Sequence, residues 1–365
     1  MIDTLIPLRY YYTFFINSIL CLLSFTLLHT VTLQGNEGKV VIFNRIFGYI
    51  TFGILVLYIG LRPVSEYYFV DMATYSDIFM RYKYGATLSD EGDIGFNLFT
   101  YLAANITTLK IYFVICALLY VIPLFLAAKK WFPHYYFFVF LMLICSFSFY
   151  TYGVNGMRNG MATSFFIAGL AYNRNLALRI FWFSLSILFH KSMFLPLLIF
   201  ITTYFYQNTK TYFYAWLASI ALSVTLGSVW ISLFTQLGFG DDRLTAYLNK
   251  APEAGKFSST GFRWDFLVYS AIPIVLGYFY VFKLGFKDKA YERILQTYLV
   301  ANAFWVMVIR ANFSNRFAYL SWFMMAVVIF YPPFKQVLVE NQFRKIGYLM
   351  VGYFTITYIL TVVLK

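Results

Sequence analysis

The chain has 365 residues, of which 61% are hydrophobic and 12% charged, with a formal net charge of +13. Soluble domains carry about 45–50% apolar and about 25% charged residues, so a water-soluble globular domain is excluded. Apolar runs of about 18 or more residues recur from end to end, and lipid admits only helices or closed barrels; a barrel would alternate polar and apolar residues, and these runs do not.

In chain order the expected spans are 11–31, 41–61, 111–128, 134–150, 158–173, 176–190, 193–207, 211–235, 264–283, 292–310, 315–331 and 345–364. A shorter amphipathic stretch, 94–108, precedes the third. The expected fold is all-α: a polytopic integral membrane helical bundle of about 11–13 transmembrane helices with short re-entrant or amphipathic segments on the outer face. It forms one transmembrane domain, 1–365, with outer-face loops at 62–110 and 236–263. The first apolar block lacks a small-residue cleavage site and reads as a retained helix, not a signal peptide. Cys21, Cys116 and Cys145 all sit inside apolar runs and read as packing residues. The three histidines are scattered, which argues against a transition-metal site, and no cofactor is expected.

Orientation follows from Lys and Arg in the loops. Lys39/Arg45, Lys129/Lys130, Arg174/Arg179, Lys210, the group Lys283 to Arg293 and the group Lys335 to Lys345 fall in alternate loops, which places them in the cytoplasm. The segments 62–110, 151–158, 190–192, 236–263 and 310–316 are then outside. If 94–108 spans fully, the first two helices flip. The outer side is itself rich in cations, including Arg62, Arg81, Lys83, Lys110, Arg158, Lys191, Arg243, Lys250, Lys256, Arg263, Arg310 and Arg316. Positive-inside bias alone does not produce this. An outer-face polyanion is the simplest reason, and in a membrane chain the net charge does not point to nucleic acid.

Several polar positions stand out. Arg158 opens a helix in YGVNGMRNGMATSFF, where Gly156, Gly160 and Ala162 permit close backbone approach; the alternative is an arginine snorkelling at a helix end. Arg310 and Arg316 flank ANFSN, with Tyr319 one turn on, a pattern that suits a binding lip. His190-Lys191-Ser192 interrupts two apolar blocks and reads either as an ordinary interhelical turn or as the closure of a polar cavity shared with Arg158 and Arg316. A histidine there can move protons near neutral pH. The stretch 62–96 interleaves arginines and aromatics with six carboxylates, Glu66, Asp71, Asp77, Asp90, Glu91 and Asp93. Asp71, Tyr75 and Phe79 share a face if helical. Aromatic faces pack against sugar rings and carboxylates bind hydroxyls; GDDRLTAYLNK repeats that mixture on a smaller scale.

An ordered set of these motifs resembles the EpsG/Wzy-type family of bacterial polysaccharide repeat-unit polymerases. It comprises Arg62 after the second helix, D-x-x-x-Y at Asp71 to Tyr75, an acidic-x-Gly-aromatic element at Asp93-Ile94-Gly95-Phe96, R-x-x-x-A at Arg158 to Ala162, His190-Lys191-Ser192, and R-x-x-Y at Arg316 to Tyr319. Two positions depart from the family pattern: Phe69 stands where a Gly is usual, and Asp93 where Glu is usual.

The resemblance implies a glycosyltransferase in the bacterial inner membrane with its site facing outward. It would move a growing O-antigen, capsule or exopolysaccharide chain from undecaprenyl pyrophosphate onto the next lipid-linked oligosaccharide, with the bilayer and a chain-length regulator as candidate partners. Such a reaction needs fixed cations for the leaving diphosphate and a base for the acceptor hydroxyl. Arg158 and Arg316 are the candidates for the first role, and His190 or Asp93 for the second. Arg62, Asp71, Tyr75, Lys191, Ser192, Arg243, Arg310 and Tyr319 are candidates for substrate binding. A lipid-linked oligosaccharide flippase is the rival reading. It predicts internal pseudo-symmetry and polar residues near mid-membrane, whereas the polar positions here cluster towards one face.

Overall fold

The computed structural model describes residues 6–32, 37–236, 262–311 and 314–363. Arg243, Lys250, Lys256 and nearly all of the expected loop 236–263 lie outside the described residues. Every regular element among the described residues is helical. Six helical stretches are long and apolar enough to cross a membrane: Leu8–Thr32, Gly38–Gly60, Leu109–Trp131, Trp264–Lys283, Arg316–Lys335 and Gln342–Val363. The protein is a multi-pass helical membrane protein. Three further apolar helical stretches, Ile94–Ile106, Leu176–Phe189 and Lys191–Phe205, are shorter than the roughly 20 residues a full crossing takes. The chain divides into two compact units, residues 1–191 with 333–365, and residues 192–332.

The first unit contains α1 (Tyr11–Thr32), α2 (Glu37–Gly60), α3 (Val70–Lys83), α4 (Ile94–Ile106), α5 (Leu109–Trp131), α6 (Tyr136–Ile144), α7 (Phe149–Val154), α8 (Met157–Ala171), α9 (Leu176–Phe189) and α16 (Gln342–Tyr358). α8 is its axis: every residue from Gly160 to Ala171 is buried, and the helix packs on both α5 and α9. Ser186 Oγ donates to the Ala162 carbonyl at 2.6 Å, which fastens α9 to α8. Thr108 caps α5 by accepting from the Ile111 N–H.

The stretch 62–110, expected as an outer loop, forms two helices, α3 and α4, before α5 begins at Leu109. α3 buries Met72, Tyr75, Phe79 and Tyr82, spaced three and four apart as one helical face requires, against α4. The opposite face, with Asp77 and Arg81, is exposed. α4 approaches α9 through Gly95. A Cβ there would stand 2.7 Å from Leu188 Cβ and 2.8 Å from the Leu188 carbonyl oxygen, so the contact is backbone on backbone.

The second unit contains α10 (Phe194–Phe205), α11 (Thr209–Gln236), α12 (Trp264–Tyr278), α13 (Lys289–Met307), α14 (Asn315–Trp322) and most of α15 (Met325–Lys335). Its helices are tied by buried polar pairs. Trp216 Nε1 donates to Asn302 Oδ1 at 2.8 Å, and Asn302 Nδ2 donates to Ser321 Oγ at 3.1 Å. Trp322 Nε1 donates to Ser270 Oγ at 2.6 Å. In lipid, where apolar packing between helices gains no hydrophobic free energy, such bonds and close packing hold helices together.

Three expected spans are not single straight helices. The span 134–150 breaks between α6 and α7, where Ser146 turns its hydroxyl onto the Leu143 carbonyl at 2.9 Å. The span 315–331 breaks between Trp322 and Met325. α11 kinks at Leu226, whose φ of −124° is non-helical. Arg310 lies at this kink, donating to the Val224 carbonyl at 3.3 Å. Gly227 leaves room for the arginine, since a Cβ there would meet Arg310 Cδ at 3.2 Å.

Gly95→Ala should lower the thermal unfolding midpoint in detergent, at a cost of about 1–3 kcal/mol, because Leu188 offers backbone and cannot swing aside. Gly53→Ala, where nothing lies within 4 Å, should leave the midpoint unchanged or raise it slightly. Equal effects at the two positions would show that the α4–α9 approach does not matter to stability.

Candidate functional site

Asp93 stands at the N-cap of α4, where an aspartate commonly accepts from its own helix, yet it makes no side-chain cap bond. Its carboxylate serves three other donors. Oδ2 accepts from Arg158 Nη1 at 2.9 Å and from His190 Nδ1 at 3.1 Å. Oδ1 accepts from the Lys191 backbone N–H at 2.9 Å. The Asp93 side chain is 6% exposed, against 23% for Arg158 and 25% for His190. One buried carboxylate thus gathers the first turn of α8 and the turn that ends α9.

Burial alone would push the Asp93 carboxyl upward. The His190 hydrogen bond and charge, the Lys191 N–H and the Arg158 guanidinium outweigh it and hold the group below the usual carboxylate range. An ionised carboxylate only accepts, so His190 Nδ1 must donate to it. The neutral imidazole then carries its lone pair on Nε2. Asp93 itself is a poor proton acceptor in this setting.

Tyr75 of α3 and Phe96 of α4 flank the same arginine. The Arg158 guanidinium lies 5.9 Å from the Tyr75 ring centre and 5.7 Å from that of Phe96. The two rings meet edge to face at 5.4 Å. Burial pushes the Tyr75 hydroxyl up, with Arg158 pulling partly against it.

Arg62 takes a supporting position one residue away from Arg158. It is 3% exposed and donates to the Ile59 carbonyl, to the Val154 carbonyl at 2.9 Å and to Met157 Sδ at 3.1 Å. Phe69 and Phe113 lie 5.8 and 5.5 Å from its guanidinium. Burial lowers its pKa to about 10, still far above neutrality. It pins the end of α2 to the turn that launches α8.

The structure therefore brings together Tyr75, Asp93, Arg158, His190 and Lys191, with Arg62 beneath them. Asp71 is exposed in the first turn of α3, where a negative charge suits the helix dipole. Ser192, Arg310, Arg316 and Tyr319 belong to the second unit. There Tyr319 packs edge to face on Trp322 at 5.5 Å, Arg316 is exposed in the first turn of α14, and Arg310 fills the α11 kink. Among the described residues no three His, Cys, Asp or Glu side chains form a metal-ligating group.

Sequence reasoning missed three contributors. The Lys191 backbone N–H, and not its side chain, completes the carboxylate's shell. Phe96 flanks the guanidinium, and Gly95 permits the approach; both were visible as letters of the acidic-x-Gly-aromatic element, without their reason.

Residues 45–365 match the family model of the EpsG family. No curated protein and no solved structure matched the chain.

A carboxyl with a depressed folded pKa stabilises the protein fully above its unfolded value of about 3.9, and that stabilisation is lost as pH falls through the lower folded value. The detergent-solubilised protein should accordingly lose thermal stability on acidification below about pH 4. Asp93→Asn should reduce that acid dependence. Arg158→Met, which strands a buried charge, should cost about 3–5 kcal/mol near neutral pH. An unchanged acid limb in Asp93→Asn would refute this account of the carboxylate.

Proposed function

The chain belongs to the EpsG family, and from that premise we propose that it is a glycosyltransferase joining lipid-linked oligosaccharide repeat units into a surface polysaccharide. Membership points to a polysaccharide-polymerase type of function. The reaction, the lipid diphosphate leaving group and the placement of the site at the outer leaflet of the inner membrane are our reading. The observation that carries it is the sharing of one Asp93 oxygen by a fixed guanidinium and an oriented imidazole.

In this reading an acceptor sugar hydroxyl attacks the anomeric carbon of the donor glycan. The bond from that carbon to the lipid diphosphate breaks, and the diphosphate leaves with the electron pair. His190 Nε2 takes the hydroxyl proton as the new glycosidic bond forms. Asp93 holds the imidazole tautomer and stabilises the imidazolium, as a triad carboxylate does for its histidine. Arg158 stabilises the charge that develops on the diphosphate, since a planar fork of donors suits phosphate oxygens; Arg316 remains a candidate cation on its sequence motif alone. The imidazolium then returns its proton to water or to the departed diphosphate. Tyr75 and Asp71 are read as sugar-positioning residues, and Arg62 as the strut that holds Arg158 in place. Arg310 is read as part of the α11 scaffold. Arg243 remains a candidate cation for the substrate.

The test is complementation of a strain lacking this chain, read on the length of surface glycan and on the lipid-linked pool. Wild-type protein should restore long chains. His190→Ala and Arg158→Ala, at normal protein levels, should accumulate single lipid-linked units, with coupling slowed about 10²–10⁴-fold for the histidine. Asp93→Asn should impair coupling in the same direction. Full-length glycan in both His190→Ala and Arg158→Ala would reject the site. A deletion strain with no units reaching the outer surface at all would identify a transporter instead.

A further inference from the structure

An open surface groove of about 570 Å³ is lined by Asp77, Met80, Arg81, Tyr84 and Ala86. It lies at the C-terminal end of α3, outside every stretch that is apolar and long enough to cross the membrane. Its walls are fixed before any ligand arrives. The helix ends at Gly85, whose φ of +93° only glycine adopts without strain, and the Ala86 N–H returns to the Arg81 carbonyl at 3.1 Å. The following loop is held by Ser89 N–H to the Tyr82 hydroxyl at 3.3 Å. Asn97 Nδ2 donates to the Ser89 and Glu91 carbonyls at 3.2 and 2.6 Å.

The lining has the chemistry of a sugar site and not of a packing defect. Tyr84 is 82% exposed, an aromatic face left open among the described residues. Asp77 and Arg81 are one turn apart on the exposed face of α3, so a carboxylate and a guanidinium, both planar hydrogen-bonding groups, line the same groove as that aromatic. Such a set matches a pyranose, whose edge carries hydroxyls and whose face carries C–H groups. The groove is linked to the Asp93 cluster along the chain and not across a shared face: Tyr75, against Arg158, is on the buried face of α3, Asp77 and Arg81 are on its opposite face, and Tyr84 lies about 13 Å further along at 1.5 Å per residue. The loop that forms the wall runs directly into Asp93.

We infer that this groove is a glycan subsite that holds sugar rings of the repeat unit distal to the bond being made, with Tyr84 stacking on a ring and Asp77 and Arg81 bonding its hydroxyls. The inference rests on the glycosyl-transfer reading above. A subsite of this kind keeps the chain engaged between couplings. Its loss shortens the product without slowing the first coupling, because Asp93, Arg158 and His190 are untouched.

The experiment uses the full chain in nanodiscs and, as probe, the host's repeat-unit oligosaccharide released from its lipid by mild acid. Saturation-transfer NMR should show the oligosaccharide bound to the wild-type protein. Binding should be about fivefold weaker, or more, in Tyr84→Ala and in Asp77→Asn. In cells both variants should still form dimers of the repeat unit but yield shorter glycan. Asp77→Asn, on an exposed face, guards against a folding defect in Tyr84→Ala. Wild-type binding and chain length in both variants would overturn the subsite. So would an oligosaccharide that gives no signal while vesicles of anionic phospholipid protect Arg81 from chemical modification, since the groove would then anchor a headgroup. His190→Ala separates the two claims. It should bind the free oligosaccharide normally yet couple units about 10²–10⁴-fold more slowly; if coupling runs at the wild-type rate, the reaction reading fails while the binding result stands on its own.

Discussion

The Asp93 carboxylate is the interaction on which the candidate site of the first unit depends. Burying a carboxylate costs several kcal/mol unless donors replace its water, and here three do, from two chain segments. The residue gives up the helix cap that its position offers, a stabilisation of about 1 kcal/mol. What it gains is a fixed relation between the start of α8 and the end of α9. Neither the guanidinium nor the imidazole can leave without stranding a charge, so both are held in one place before any substrate arrives. That is the preorganisation electrostatic catalysis needs.

The carboxylate can reach those donors only because small residues bring the helices close. Gly95 lets α4 touch the Leu188 backbone, and Gly160 lets α8 lie against the Tyr152 carbonyl, where a Cβ would stand at 2.7 Å. Ser186 then bonds the Ala162 carbonyl. Arg62 adds a buried brace from the end of α2 to Val154 and Met157. Each contact orients a residue within four positions of Asp93, Arg158 or His190. The site therefore belongs to the packing of α2, α4, α8 and α9 and not to a mobile loop.

The membrane class and the long helices were legible because hydropathy is a property of the letters themselves. The helix breaks were not. Residues 134–150 are apolar apart from His134, Ser146 and Ser148, and the interruption after Ile144 comes with Ser146 bonding back to its own chain. The α11 kink at Leu226 depends on Arg310, 84 positions away, and no local pattern announces it. The site was legible as a set of letters but not as roles. His190, Arg158 and Asp93 were all singled out. Their sharing of a single oxygen, and the use of the Lys191 backbone in place of its side chain, are facts of three-dimensional placement. Arg62 was a substrate-binding candidate through the motif resemblance; its burial against Val154, Met157, Phe69 and Phe113 is a packing fact that the motif does not carry.

The departure at position 93 acquires a physical meaning in this frame. The resemblance has Glu where this chain has Asp, a side chain one methylene shorter. A shorter carboxylate can serve the same donors only if its helix stands nearer to them. The contact at Gly95 supplies that: α4 approaches the Leu188 backbone until no side chain fits between them, and the Lys191 N–H, three residues on, comes to 2.9 Å from Oδ1. The short acid and the close approach are therefore coupled. Asp93→Glu alone would push its carboxylate into the space already filled by Arg158 and His190, and relief would require the α4–α9 contact to open. The residue that looked least conforming in the sequence is the one whose length the local packing determines.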